Sequence, residues 1–214
     1  MKKMFLPAAL LGAALLAAPA AFAQKAAPKA AASTAVVDYK LQPQLSTLGW
    51  EGKAVTHGHN GTIQFTGGDL QVRNNMVVGG TATVDMKSLK ATDITDQGNH
   101  AKFVGHMSGD DFFSSEKYPT STFKIISVTP IAGAAANANN ATITGDMTIK
   151  GVTQRISFPA KVGVKNGVAA ATGKVTVDRT KYGLKYGSKT FFDSIGDKAI
   201  NDEFILDFNV IAKQ

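Results

Sequence analysis

From Val36 onward, apolar residues recur at every second position rather than at every third or fourth. That period puts them on one face of a pleated strand and their polar neighbours on the other. Ile63 and Phe65 share a face, and Gly67-Gly68-Asp69 reads as a turn into Leu70 and Val72. Asn74-Asn75 turns the chain again, into a long strand whose alternating set is Met76, Val78, Gly80, Ala82, Val84 and Met86. Ile143 to Ile149 and Ile156 to Val164 repeat the pattern. Asn166-Gly167 favours a two-residue type I′ hairpin turn, and it leads into Ala169, Ala171, Gly173, Val175 and Val177. Phe204, Leu206, Phe208 and Val210 mark the last strand. With strands near 39–57 and 120–129 the count is about eight, which predicts an all-β antiparallel barrel or sandwich.

One stretch breaks the period. Between Gly98 and Met107 the spacing of Phe103 and Met107 predicts a short helix, with Asp96 as its cap. Ala132 to Asn140, all Gly, Ala and Asn, reads as a solvated hairpin tip. The run from His106 to Phe123 is a helix-to-strand corner. Asp110 and Asp111 stand beside Phe112 and Phe113, whose rings call for burial. Pro119 then drives Tyr118 into an extended conformation and starts a strand.

Phe112-Phe113, Lys117-Tyr118-Pro119-Thr120 and Phe123, followed by Gly145-Asp146-Met147-Thr148-Ile149-Lys150-Gly151-Val152-Thr153, closely resemble the YceI-like family. The resemblance runs from about Val37 to Lys213. Asp178-Arg179, Phe191-Phe192-Asp193, Ile200-Asn201-Asp202 and Trp50-Glu51-Gly52-Lys53 with His57-Gly58-His59 are similar to a subgroup of it. It implies an eight-stranded lipocalin-like barrel with one short helix, in a mostly periplasmic family that binds polyisoprenoid-type lipids.

The first 23 residues read as a signal peptide: Lys2 and Lys3, an apolar run from Leu6 to Ala18, and Ala21-Phe22-Ala23 before Gln24. Export to the periplasm or beyond follows from it. Residues 24–35 are Ala-rich without periodicity and read as a disordered linker. The domain is then 36–214, with no cysteine and so no disulfide to hold it. The formal charge of +7 falls to +3 once Lys2, Lys3, Lys25 and Lys29 are set aside. The remaining charges are interspersed rather than gathered on one face, which argues against nucleic acid as a partner.

An eight-stranded barrel either fills with its own side chains or holds one small ligand. Gly80 and Ala82 on one strand, and Ala169, Ala171 and Gly173 on another, are small enough to leave room for a linear apolar guest. They would equally suit positions beneath the helix or at bulges, and the resemblance favours the hollow barrel. The expected lining is Ile63, Phe65, Phe103, Met107, Phe112, Phe123 and Ala171, with Phe191 and Phe192 as a lid or bore lining in the long segment Tyr182–Ile200. His106 is expected at the mouth, and Arg179 either near a lipid headgroup or in a local ion pair with Asp178. The expected partner is a long-chain isoprenoid or fatty amphiphile, held for transport, storage or scavenging, with no resident cofactor; a quinone-like ligand is compatible with the same bore. Transient membrane contact and a homodimer are compatible with this reading. His57 and His59, two apart, offer a two-ligand metal site at most. The rival readings are a hydrolase or metal-dependent enzyme using His106 with Asp110 and Asp111, and a membrane-inserted barrel. One Trp and four Tyr are few for the aromatic girdles of the latter.

Overall fold

A computed structural model describes residues 35–214. The expected signal peptide and all of the linker but Ala35 lie outside the described residues. Nine strands follow in chain order: β1 (Val37–Leu41), β2 (Thr47–Ala54), β3 (Gly58–Arg73), β4 (Met76–Ala91), β5 (Thr120–Pro130), β6 (Ala141–Ile149), β7 (Val152–Lys165), β8 (Val168–Asp178) and β9 (Ile200–Lys213). Every pairing is antiparallel.

These nine strands make eight staves. Val37 on β1 faces Val72 and Leu48 on β2 faces Ile63, so both pair with β3. Lys40 faces Lys213 and Thr47 faces Asn209, so both also pair with β9. They are two halves of one stave, running in the same direction. Pro43 interrupts it because it has no N–H for the ladder, and the chain steps out through a 3-10 turn at Pro43–Leu45. Ser46 Oγ then accepts from Ile211 N at 3.0 Å, beside the bond from Gln42 N to Ile211 O at 2.8 Å. Adjacent staves pair in sequence from β3 through β9, and β9 returns to the β1/β2 stave, closing the barrel. The expected eight-stranded antiparallel barrel is observed, and the sandwich is not.

Type I′ geometry sets three of the hairpins. Asn74 and Asn75, Lys150 and Gly151, and Asn166 and Gly167 all have φ between +50° and +75°. The Gly67-Gly68-Asp69 turn is corrected by the structure: β3 runs unbroken through it. The register against β4 shifts between Phe65 and Gly67; Gly68 follows at φ +140°, where a side chain would run into the Thr81 carbonyl. Glycine here permits a bulge, not a reversal.

A second bulge changes the inward set of β4. Leu70 faces Gly80 but Val72 faces Val77, so one extra residue flips the phase. Val77 is buried while Met76 is exposed, and the expected sequence of alternating positions holds only from Gly80 to Met86. The only α-helix among the described residues, α1 (Gln97–Ser108), starts where expected, with Asp96 Oδ1 accepting from Asn99 N at 2.8 Å.

Burial divides the barrel along its axis. Tyr39, Leu41, Val72, Val77, Ala169 and Ala212 pack one end shut. The β2–β3 connection, α1 and the segment between β8 and β9 surround the other. The outer face is polar along its strands, for example Thr62, Gln64 and Thr66 on β3, and Arg155 on β7, whose Nε donates to Asp146 Oδ1 at 2.7 Å.

Candidate binding cavity

Between the closed end and the mouth lies a cavity of about 450 Å³. Ile63 and Phe65 point into it from β3, where alternate residues are buried. Phe123 on β5 and Ala171 on β8 join them from across the barrel. Helix α1 spans the mouth and contributes Phe103, His106 and Met107, one face of a helix that buries no residue completely. Phe112 follows it and is itself buried. Arg179, at the end of β8, completes the expected residues found on the wall.

Phe191 and Phe192 are not on the wall. They are 43% and 51% exposed, in the segment between β8 and β9. Of the small residues, only Ala82 and Ala171 face the cavity. Gly80, at φ +143°, is packed against the Asp69 carbonyl at the bulge. A side chain at Gly173 would meet the Phe208 ring at 3.1 Å, so that ring already occupies its space. Ala169 is wholly buried in the closed end. The space comes from the bore at mid-height, not from a continuous row of small residues.

Two wall residues outside the expected set hold α1. Trp50 stacks on Phe103 with ring centroids 6.0 Å apart and planes at 13°. Tyr186 meets His106 edge-on at 4.7 Å and lies 5.4 Å from Phe112, which is 5.1 Å from His106. One ring cluster therefore sits on each side of the helix. Trp50 falls on the inward phase of β2 with Leu48, a signal the alternation did carry; Tyr186 sits in irregular chain, where no period exists.

Polar groups gather at the rim and are engaged with one another. His59 Nδ1 lies 2.8 Å from Asp93 Oδ2. Burial pushes the Asp93 carboxyl up, but hydrogen bonds from His59 and the Asn60 N–H more than offset this, leaving it below the ordinary value. His57 turns to Thr56 Oγ1 at 3.0 Å, its ring edge-on to His59. Among the described residues no three His, Cys, Asp or Glu side chains converge as metal ligands would. His106 Nε2 is 3.7 Å from Asp111 Oδ2, too far for a hydrogen bond.

Arg179 faces the cavity but spends its donors elsewhere. It is 4% exposed. Nε donates to Asn201 O at 2.8 Å, Nη1 to Leu184 O at 2.7 Å and Tyr186 O at 2.9 Å, and Nη2 to Ile200 O at 3.0 Å. The second Nη2 hydrogen is directed at Asp202 Oδ1, 3.5 Å away. A guanidinium has five donors in all, so none is left for a headgroup. Asp178, the expected ion-pair partner, instead accepts from the Thr180 N–H and hydroxyl and caps the turn that follows it.

Burial raises the Asp202 carboxyl. Hydrogen bonds from Ser188 and Thr190 and the charge of Arg179 lower it further than that, to below its ordinary value. A carboxyl depressed in the fold contributes stability that is complete above the unfolded value, about 3.9, and is lost as pH falls through the folded one. The Leu184 and Ile200 N–H groups, which donate to Arg179 O and Gly187 O, should accordingly lose protection against hydrogen exchange, relative to their intrinsic rates, below about pH 4, before the barrel ladders open. Unchanged relative protection down to global unfolding would show that Asp202 does not hold the segment.

Comparison with known proteins gives consistent matches. The model of the YceI-like domain family matches residues 39–212. Protein YceI of Escherichia coli O157:H7 is 36% identical, and a UPF0312 protein of Pseudomonas aeruginosa (strain UCBPP-PA14) 38% identical, each over 64 residues. These stretches cover 30% of this chain and only 30% of either relative. Burkholderia cenocepacia BcnA superposes with a TM-score of 0.62 at 20% identity, over 81% of this chain and 99% of that one. A polyisoprenoid binding domain from Saccharophagus degradans superposes at 0.55 with 18% identity, over 82% and 97%.

Proposed function

The chain belongs to the YceI-like family, and from that premise we propose that it is a non-catalytic, exported carrier that holds an isoprenoid-type lipid in its barrel. The observation that carries the reading is the cavity of about 450 Å³, closed at one end, open at the other and lined mainly by apolar side chains. Related structure supports the choice of guest, since the Saccharophagus degradans domain is described as polyisoprenoid binding.

Capacity and energetics agree with a tail of limited length. At roughly 30 Å³ per heavy atom at liquid density, the cavity takes on the order of 15 heavy atoms, or three isoprene units. At about 0.8 kcal/mol per methylene, such a tail gains on the order of 12 kcal/mol gross. Association and ordering remove roughly 4 kcal/mol or more, so the tail alone supports a Kd no tighter than about 1 μM. A longer chain would leave its remainder and its headgroup at the mouth, among the rings of Trp50, Phe103, His106 and Tyr186. The polar outer face of β3 and β7 suits a barrel surrounded by water rather than one in a bilayer, whose outer band would be apolar. A signal peptide over residues 1–23 would deliver it to the periplasm, where a lipid crossing between membranes needs such shielding.

Trp50 provides the test. It is the chain's single tryptophan and lines the cavity. Titration with farnesol, which has three isoprene units, should shift its fluorescence saturably at micromolar concentration. Protein isolated from the cell envelope should release a lipid of this class on organic extraction. A linear, non-saturating response together with an empty extract would sink the carrier reading.

A further inference from the structure

The segment between β8 and β9 carries a feature that the cavity does not explain. Phe191 and Phe192 stand side by side, about half exposed, and outside the cavity wall. They do not hang on loose chain. Their N–H groups both donate to Ser188 O, at 3.2 and 3.0 Å, and Ser188 is fully buried. Thr190 Oγ1 donates to Asp202 Oδ2 at 2.5 Å, and Arg179 binds the carbonyls on either side. Two large rings held out on a fixed base mark a surface that something covers.

Position and charge say what covers it. The segment rims the mouth: Tyr186 lines the cavity and is itself 44% exposed, and Ala199 O accepts from Val55 N at 3.0 Å. Val55, in the β2–β3 connection, is another exposed apolar residue at this end. Lys185 Nζ lies 4.7 Å from the centroid of the Phe191 ring, and Lys189 and Lys198 flank the pair. Among the described residues none of these three lysines forms an ion pair. Asp193 and Asp197 lie among these three lysines, so residues 185–198 carry a balance of one positive charge. Aromatic rings beside lysines match an interface whose interior is apolar and whose surface is anionic.

We propose that Phe191 and Phe192, with Tyr186 and Val55 at the same rim and Lys185 and Lys189 beside them, dock the barrel mouth onto an anionic lipid bilayer. The inference rests on the carrier reading and deepens it. A tail that moves from a membrane into this cavity avoids water only if the mouth meets the membrane, and the rings sit on that end. Lys185, held over the Phe191 ring, would then lie at the level of the headgroups.

The test separates docking from loading. Wild-type protein should co-sediment with vesicles of phosphatidylcholine and phosphatidylglycerol, less so as salt rises and less so with phosphatidylcholine alone. The double variant Phe191→Ser/Phe192→Ser should lose vesicle partitioning at least tenfold and keep its farnesol response at Trp50. Wild-type partitioning by that variant overturns the proposal. So does wild-type protein that stays in the supernatant with both vesicle types; a dimer in sedimentation velocity that the variant lacks would then assign the rings to a second copy. If vesicles bind as expected while farnesol gives no saturable response, docking stands and the carrier reading falls.

Discussion

Replacing Arg179 with leucine is expected to cost about 3–5 kcal/mol of stability, the largest loss of any single side chain at the mouth. The guanidinium is buried and holds the carbonyls of Leu184, Tyr186, Ile200 and Asn201 together with Asp202. Leucine fills much of the volume but leaves these acceptors without donors, at roughly 1–3 kcal/mol for each that water does not reach. The segment that carries Tyr186, and with it one of the two ring clusters holding α1, should come loose. Arg179→Lys should recover little, because a single ammonium cannot match a planar fork that reaches two chain segments at once. Burial already pushes the Arg179 pKa down against the pull of Asp202 and Asp178, so the charge is retained at a desolvation cost. Urea unfolding followed at Trp50 and by circular dichroism measures the effect. A loss under about 1 kcal/mol would mean that the segment is held by its apolar contacts, such as Leu184 and Tyr182 in the core. The Tyr182 hydroxyl is buried without a hydrogen-bond partner and its pKa is pushed up to about 12 by burial, so that residue contributes packing rather than polar anchorage.

The staves were legible in the sequence because alternation and turn chemistry are local. A period of two needs only one buried face, and Asn166-Gly167 turns where such a pair should. Lys150-Gly151 turns the same way, although the sequence reading had absorbed it into a longer motif. What misled were places where the backbone rather than the side chains sets the phase. Gly67-Gly68 and Gly79-Gly80 look like turns or like gaps in the wall. In the fold they lie at bulges that bend long strands around a barrel, and the missing side chains of Gly68 and Gly80 make room for the Thr81 and Asp69 carbonyls. Arg179 was misread for a related reason: its partners are carbonyl oxygens, which every residue has and no motif records. The ring pair at Phe191 and Phe192 was visible, but whether it faces in or out depends on the bonds of Ser188 and Thr190, and no local pattern encodes those. Nine of the eleven expected site residues reach the wall, and seven of them belong to a strand or helix with a period, while Phe112 stands in the turn after α1. Arg179 stands just past the end of β8.

Ala171→Phe should strongly weaken loading of a tail three isoprene units long while leaving the barrel folded. On β8 the cavity wall runs from Val175 to Ala171 and stops, because Ala169, two residues on, is packed without space in the closed end. Ala171 therefore stands at the floor, flanked in the ladder by Val162 and Val210. A phenyl ring there cannot move down, and its neighbours already close the sides. It must rise into the bore, where it takes about the space of one isoprene unit. Losing that unit forfeits up to about 4 kcal/mol gross, and with partial relaxation a loss of about 2–3 kcal/mol corresponds to a 30- to 150-fold weaker Kd for farnesol. Geraniol, one unit shorter, should bind the variant nearly as it binds the wild type, since its tail need not reach the floor. Filling a cavity in this way should change unfolding stability by less than about 1.5 kcal/mol. The discriminating quantity is the ratio of the two affinities, read at Trp50 near the mouth and away from the substituted site. If both guests weaken equally, the ring has distorted the mouth; if neither weakens, the tail never occupied the floor, and the bore is not where the lipid goes.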